Sequence, residues 1–174
     1  GRVVCSRQEM GRERRKQAAR HAVMNEESAP VPAAHRQVLT FRIANEWYAL
    51  DVAQVRRVEK APTIVAVPSA PPALPGVFIS QGQLIPAVDP RVILELPPAT
   101  EESPEFVVIA CHEEYVGGIL VDWVDEVTRV DAAAIEPPPV GAGALYASGQ
   151  TLLQGRLVSL LRLEALFQAA TGEL

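Results

Sequence analysis

Four groups of residues in this 174-residue chain could carry chemistry, and each needs a particular setting to do so. Cys111 beside His112 is the pairing of a thiolate nucleophile with an imidazole base. Ser80, Ser148 and Ser159 offer hydroxyls, but none stands in the Gly-x-Ser-x-Gly turn that exposes a hydrolase serine. Asp122, Asp125 and Glu126 are carboxylates close enough together to suggest a cation site. Gly117-Gly118 would be a phosphate loop only if a helix followed it.

The elements that must position these residues argue against each chemistry. Cys111 and His112 end an apolar stretch, FVVIACH, that reads as a strand, so their side chains should leave on opposite faces. His112 with Glu113 and Glu114 reads as an exposed turn. VDWVDEV alternates in strand fashion with no companion run of ligands, which puts its acids on a solvated face. Gly117-Gly118 stands between two strand-like segments. Cys5 and Cys111 lie far apart and outside any Cys-x-x-Cys pair, so two free thiols are expected rather than a disulfide or a zinc site. No catalytic centre is visible.

From Val38 onward the pattern is one of short strands. VLTFRI and WYALDV flank the turn Ala44-Asn45-Glu46 and read as a hairpin. VAQVRRVEK is compatible with either a helical turn or a strand. Residues 62–75 hold five of the fifteen prolines and must connect elements along the surface. VFIS and QLIPAVDPR form a second hairpin at Gln81-Gly82, with Pro86 demoting the return strand to an edge or a bulge. FVVIAC and YVGGILVDWV form a third, apolar enough to be buried on both faces, and EVTRVD continues extended. TLLQGRLVSLL turns at Gln154-Gly155, and LRLEALFQAA carries the helical stripe Leu163, Leu166, Phe167. No repeat of fixed period is evident. Many short strands with one late helix indicate an all-β barrel or sandwich.

Residues 1–37 differ in character, as a basic arm with a short helical stretch around 12–23 and a proline-containing linker. Residues 1–36 carry eight Lys/Arg against four Glu, a charge of +4, while the remainder carries -9. So acidic a body argues against a nucleic-acid-binding face. The apolar runs fall short of a membrane span, so no direct membrane insertion is expected, and no secretory signal pattern opens the chain. Gly1 in place of Met reads as a processed or trimmed end. A cytoplasmic protein is the resulting expectation.

The segment PPALPGVFISQGQLIPAVDPR resembles the signature of the CheW family, whose pattern is a Gly-Val start, an Asn-Leu-Arg-Gly turn and a Pro-Val-Asp-Leu-Arg strand end. Gly76, Val77, Gly82, Pro86, Val88, Asp89 and Arg91 match it. Upstream, Phe41, Tyr48, Asp51, Val55 and Val58 fall in register with the family's opening hairpin. Downstream, VGGILVDWVDEV is similar to its Val-Gly strand through Val116, Gly117, Val121, Asp122, Val124, Glu126 and Val127. Ile135 and GRLVSLLRLEALF complete a resemblance covering about three quarters of the chain.

That resemblance implies two small five-stranded SH3-like barrels packed around a shared core, a short C-terminal helix, no cofactor, no metal and no enzymatic activity. It implies an adaptor between the cytoplasmic tips of chemoreceptors and the regulatory domain of a CheA-type histidine kinase, at membrane-associated receptor arrays. Self-association through barrel edges is a further expectation. Val55, Val58, Val121 and Val124 are candidates for a groove receiving a receptor helix, with core packing as the plainer alternative. Arg57, Gln81, Gly82, Asp89 and Arg91 complete the partner-binding candidates.

The chain departs from the family pattern where partner choice would be made. Ile79, Ser80 and Gln81 replace Asn, Leu and Arg of the turn, and Arg57 stands at a position often acidic. Pro90 stiffens the Asp89–Arg91 segment. These departures suggest a divergent paralogue with its own partner set. A competing reading is a stand-alone regulatory module that docks a non-chemotaxis partner through the barrel surface and the basic arm. A third is a small enzyme using Cys111 or the Asp122–Asp125 pair.

Overall fold

Two-residue turns set the hairpins of this chain, because backbone in the left-handed region reverses a strand with the twist its neighbour needs. The structure, a computed structural model, describes residues 34–138 and 140–172. Strands β1 (His35–Ile43) and β2 (Glu46–Asp51) turn at Ala44, and β3 (Val55–Lys60) follows a 3-10 turn at Val52–Gln54. Strands β4 (Gly76–Ser80) and β5 (Gln83–Val88) turn at Gln81-Gly82, with φ of 49° and 77°. A one-turn helix α1 (Pro90–Ile93) precedes β6 (Phe106–His112) and β7 (Tyr115–Val121). Then come β8 (Trp123–Asp131), β9 (Ala147–Leu153), β10 (Arg156–Leu161) and helix α2 (Leu163–Thr171).

The strands make two five-stranded sheets of the same plan. The first has the order β8-β1-β2-β10-β9 and the second β3-β6-β7-β5-β4. In each, a central antiparallel hairpin pairs in parallel with the return strand of another, β2 with β10 and β7 with β5. The second sheet is continuous in sequence, whereas the first is built from both ends of the described chain.

The central hairpins β1–β2 and β6–β7 are buried on both faces, which explains their apolar density. Leu39, Phe41, Ile43, Tyr48 and Leu50 meet Val108, Ala110, Ile119 and Val121 between the sheets, where Leu163 and Leu166 of α2 join them. The alternate residues fill the interiors: Val107 and Ile109 with Phe78 and Ile85 in the second sheet, Val38 and Ala49 with Val158 and Leu160 in the first. Each fully buried large aliphatic or aromatic side chain contributes about 1.5–3 kcal/mol. Gly118 belongs to this packing, because a Cβ there would run into the Phe78 ring and Val107.

Several expectations are corrected. The return strand after Glu114 stops at Val121, and Trp123 begins a strand of the other sheet, so VGGILVDWV is not one strand. Strand β5 is interior, not an edge: its pairing with β7 begins at Ala87, one residue past Pro86, so the missing N–H falls outside that ladder. The ambiguous VAQVRRVEK is both things, a 3-10 turn capped by the Asp51 carboxylate and then a strand. Helix α1 was not expected; Pro90 at its first position and the Asp89 cap make it. His35–Gln37, assigned to the linker, belong to β1 opposite Asp131–Arg129 of β8. Cys111 is disulfide-bonded rather than a free thiol. Residues 1–33 of the expected arm, including its helical stretch and Cys5, lie outside the described residues.

Candidate functional site

Residues paired across a ladder share a face, so the register shows where the candidate valines point. Val55 and Val58 of β3 pair with Ala110 and Val108 of β6, both members of the apolar layer between the sheets. On the other sheet, Val124 and Val127 of β8 pair with Phe41 and Leu39 of that same layer. Two edge strands therefore turn valines toward one seam. Val55 and Val124 are half-buried against it, while Val58 is 37% and Val127 53% exposed. Val121 is buried within the layer and takes the core role.

The seam holds two residues that sequence reasoning did not single out as site residues. Val127 carried a signal, since it matches the family pattern. Trp123 carried none: it stands edge-on to Phe106 at 5.8 Å and 85°, with 45% of its surface exposed. Lys60, paired with Phe106, brings a positive charge beside this aromatic pair.

Arg57 turns the other way, into the mouth of the second sheet. Strands β3 and β4 are opposite edges of that sheet. Arg57 Nη2 donates to Ser80 Oγ at 2.7 Å, the Ser80 hydroxyl donates to Glu59 Oε1 at 2.7 Å, and Arg57 Nε donates to the same oxygen at 2.9 Å. Ser80 is 3% exposed, so this polar group would be costly without its partners. The hydroxyl bond is the largest influence on the Glu59 carboxyl and holds it below its ordinary value against the opposing effect of burial, with the Arg57 guanidinium adding to the lowering. These side chains close the sheet toward a barrel. The first sheet closes similarly, with Gln154 Nε2 donating to Glu126 Oε1 at 2.8 Å and Arg156 to Asp125 Oδ2 at 3.3 Å. Arg156 also lies over the Trp47 ring at 4.1 Å.

The remaining candidates separate into two places. Gln81 and Gly82 form the exposed tip of the β4–β5 hairpin, beside the outward cross-strand pair Ile79 and Leu84. The β9–β10 hairpin repeats this device, with Leu152 opposite Leu157 and both exposed. Asp89 and Arg91 are instead drawn inward. Asp89 caps α1, and Arg91 Nη2 meets Asp122 Oδ2 at 2.6 Å with both side chains almost fully buried. Asp122 therefore does not lie on a solvated face, because the chain changes sheets at that residue.

The groups that could do chemistry are not brought together. Cys111 faces the second-sheet interior, whereas His112 approaches Glu164 of α2 at 4.0 Å. Asp122 is held by Arg91 while Asp125 pairs with Arg156. Among the described residues no three His, Cys, Asp or Glu side chains form a group that could hold a metal ion. A cavity of about 70 Å³ beside Tyr48 and Ser159 leaves room for only a few atoms.

Two like-built sheets around one apolar layer, edge strands turning valines to its seam, and residues 37–171 matching the CheW-like domain family point one way. The chain belongs to the CheW-like domain family. Within that family it is similar to the probable chemotaxis protein CheW of Rhizobium etli, at 28% identity over 79% of this chain and 91% of the relative. The chemotaxis protein CheW of Rhizobium meliloti is 26% identical over the same shares. The crystal structure of the scaffolding protein TtCheW from Thermoanaerobacter tengcongensis superposes with a TM-score of 0.71 at 25% identity, covering 78% of this chain and 94% of that one. No helix of the described residues is long and apolar enough to cross a membrane.

Proposed function

We propose that this CheW-like chain is a non-enzymatic adaptor that couples chemoreceptor tips to a CheA-type histidine kinase in chemotaxis-type signalling, working in the cytoplasm at receptor arrays. The observation that carries the reading is the convergence of Val55, Val58, Val124 and Val127 from two edge strands on one seam, within a chain matching the family from end to end of the domain. Apolar valines presented by two edge strands suit the apolar face of an amphipathic helix, which is what a receptor tip would present.

The kinase side of the reading is supported by the hairpin faces. Ile79–Leu84 and Leu152–Leu157 are exposed aliphatic pairs on corresponding hairpins of the two sheets. A kinase regulatory domain of the same fold would carry corresponding hairpins, so like can dock on like. The same surfaces would serve self-association. Gln81, at the tip of one of them, supplies an uncharged amide where the family pattern has an arginine, which bears on partner choice.

Titrating the full chain with a soluble receptor cytoplasmic fragment and, separately, with the kinase regulatory domain from the same genome tests this. Saturable binding to both is expected. Binding to neither removes the coupling function.

A further inference from the structure

The chain passes from the second sheet to the first through one residue, and four segments meet on it. Asp122 lies between the end of β7 and the start of β8. Its N–H donates to the Arg42 carbonyl of β1 at 2.9 Å. Its Oδ2 accepts from the Ala44 N–H in the β1–β2 turn at 2.7 Å and from Arg91 Nη2 in α1 at 2.6 Å. Arg91 Nε in turn donates to the Pro97 carbonyl at 2.9 Å. The two side chains are 6% and 10% exposed, and Asp122 Oδ1 is buried without a hydrogen bond.

Stability is a weak reason for such a pair. Desolvating two charges offsets much of their attraction, and apolar side chains of similar shape often hold a fold as well. What an apolar substitute lacks is direction. The side chains of the Arg91–Asp122 pair tie a point on the chain to two further backbone positions, the Ala44 N–H and the Pro97 carbonyl, and that point is where β8 starts. Trp123 and Val124 are the next two residues, Trp123 standing on Phe106 and Val124 packing into the seam. A slip of one residue here would turn Val124 and Val127 away from the seam, since successive strand side chains alternate in direction.

We infer that the buried Arg91–Asp122 pair is a positioning pair for partner docking: it fixes where β8 begins and so holds Trp123 and Val124 at the seam. The inference rests on the docking reading proposed above. Arg91 thereby acts on the partner through β8 rather than by touching it.

The test uses the full chain labelled with 5-fluorotryptophan, which gives one fluorine resonance each for Trp47 and Trp123. Asp122→Asn leaves Arg91 unpaired and is the direct variant. Arg91→Met combined with Asp122→Asn removes both charges and is the variant that keeps a folded chain if the first does not. In the folded variant the Trp123 resonance is expected to shift or broaden while that of Trp47, held under Arg156, stays in place. Affinity for the soluble receptor fragment is expected to fall roughly tenfold, the scale on which residues outside a site modulate it. Affinity for the kinase regulatory domain should be unchanged. A Trp123 resonance that does not move in a folded variant overturns the inference, as does a moved resonance with receptor affinity intact. If the unaltered chain binds no receptor fragment, the docking reading falls by itself, and an unmoved Trp123 resonance still overturns the positioning of β8.

Discussion

Arg57 and Ser80 meet at 2.7 Å across the open edge of the second sheet, and both stand where the chain departs from its family's pattern. Arg57 replaces a residue often acidic, and Ser80 replaces the leucine of the hairpin turn. Separately each looks like a change of surface. Together with Glu59 they form one hydrogen-bonded unit that joins β3 to β4, so the departures are coupled. The departures that remain exposed are Ile79 and Gln81.

Ser80→Ala should destabilise the fold by about 1 kcal/mol, because it removes the hydroxyl that both Arg57 and Glu59 use. A double-mutant cycle of Ser80→Ala with Arg57→Ala, read by urea unfolding, should return a coupling of about 0.5–1.5 kcal/mol. Additivity of the two losses would mean that the contact contributes nothing to closure.

The Glu59 contribution has a definite pH window. Its carboxyl titrates lower in the folded chain than the ordinary value of 4.5, so the stabilisation is present above that value and is lost as pH falls through the folded one. The stability gap between the unaltered chain and Ser80→Ala should accordingly narrow below about pH 4.5. Equilibrium unfolding at a series of acid pH values measures it, and a constant gap would contradict the hydrogen bond to the ionised form.

Tyr48 sets the opposite limit. Burial, helped by the charge of Glu46, pushes its phenol from 10.0 up to about 12. A raised folded value means stability present below pH 10 and lost as pH rises toward 12. Tyr48→Phe should flatten the alkaline decline between those values, followed by unfolding curves and by phenolate absorbance.

Gly118→Ala should cost about 1–3 kcal/mol, since its methyl group would enter the volume of Phe78 and Val107. Phe78→Leu in the same chain should recover part of that loss. Gly143→Ala, where a Cβ meets open space, is the control and should change the melting temperature little.

Val58→Asp should weaken binding of the receptor fragment about tenfold or more, on the scale of a residue at the centre of an interface, and leave the thermal midpoint nearly unchanged. Val121→Asp should unfold the chain instead, because its side chain is buried in the layer between the sheets. Calorimetric titration and thermal melts separate the two. Equal effects on folding would place Val58 in the core.

How much was legible in the sequence follows from the range of the interactions involved. The hairpins at Gln81-Gly82 and Gln154-Gly155, the double-sided burial of FVVIAC and the ordered family motifs all rest on neighbouring residues: turn chemistry and period-two alternation act within a few positions. These determined the all-β class and the two-barrel plan implied by the resemblance, and offered Val55, Val58, Val121 and Val124 as groove candidates, of which Val121 is buried in the layer between the sheets.

Only the tertiary structure decided that β5 is interior, that the chain changes sheets at Asp122, and that Arg57 and Arg91 turn to acidic partners within the protein, the first half-buried and the second buried. Arg57 finds Ser80 across 23 residues and Arg91 finds Asp122 across 31. No periodicity reports such meetings, because they are made by sheet pairing and apolar packing elsewhere in the fold, and the side chains then take the partners that burial has left within reach.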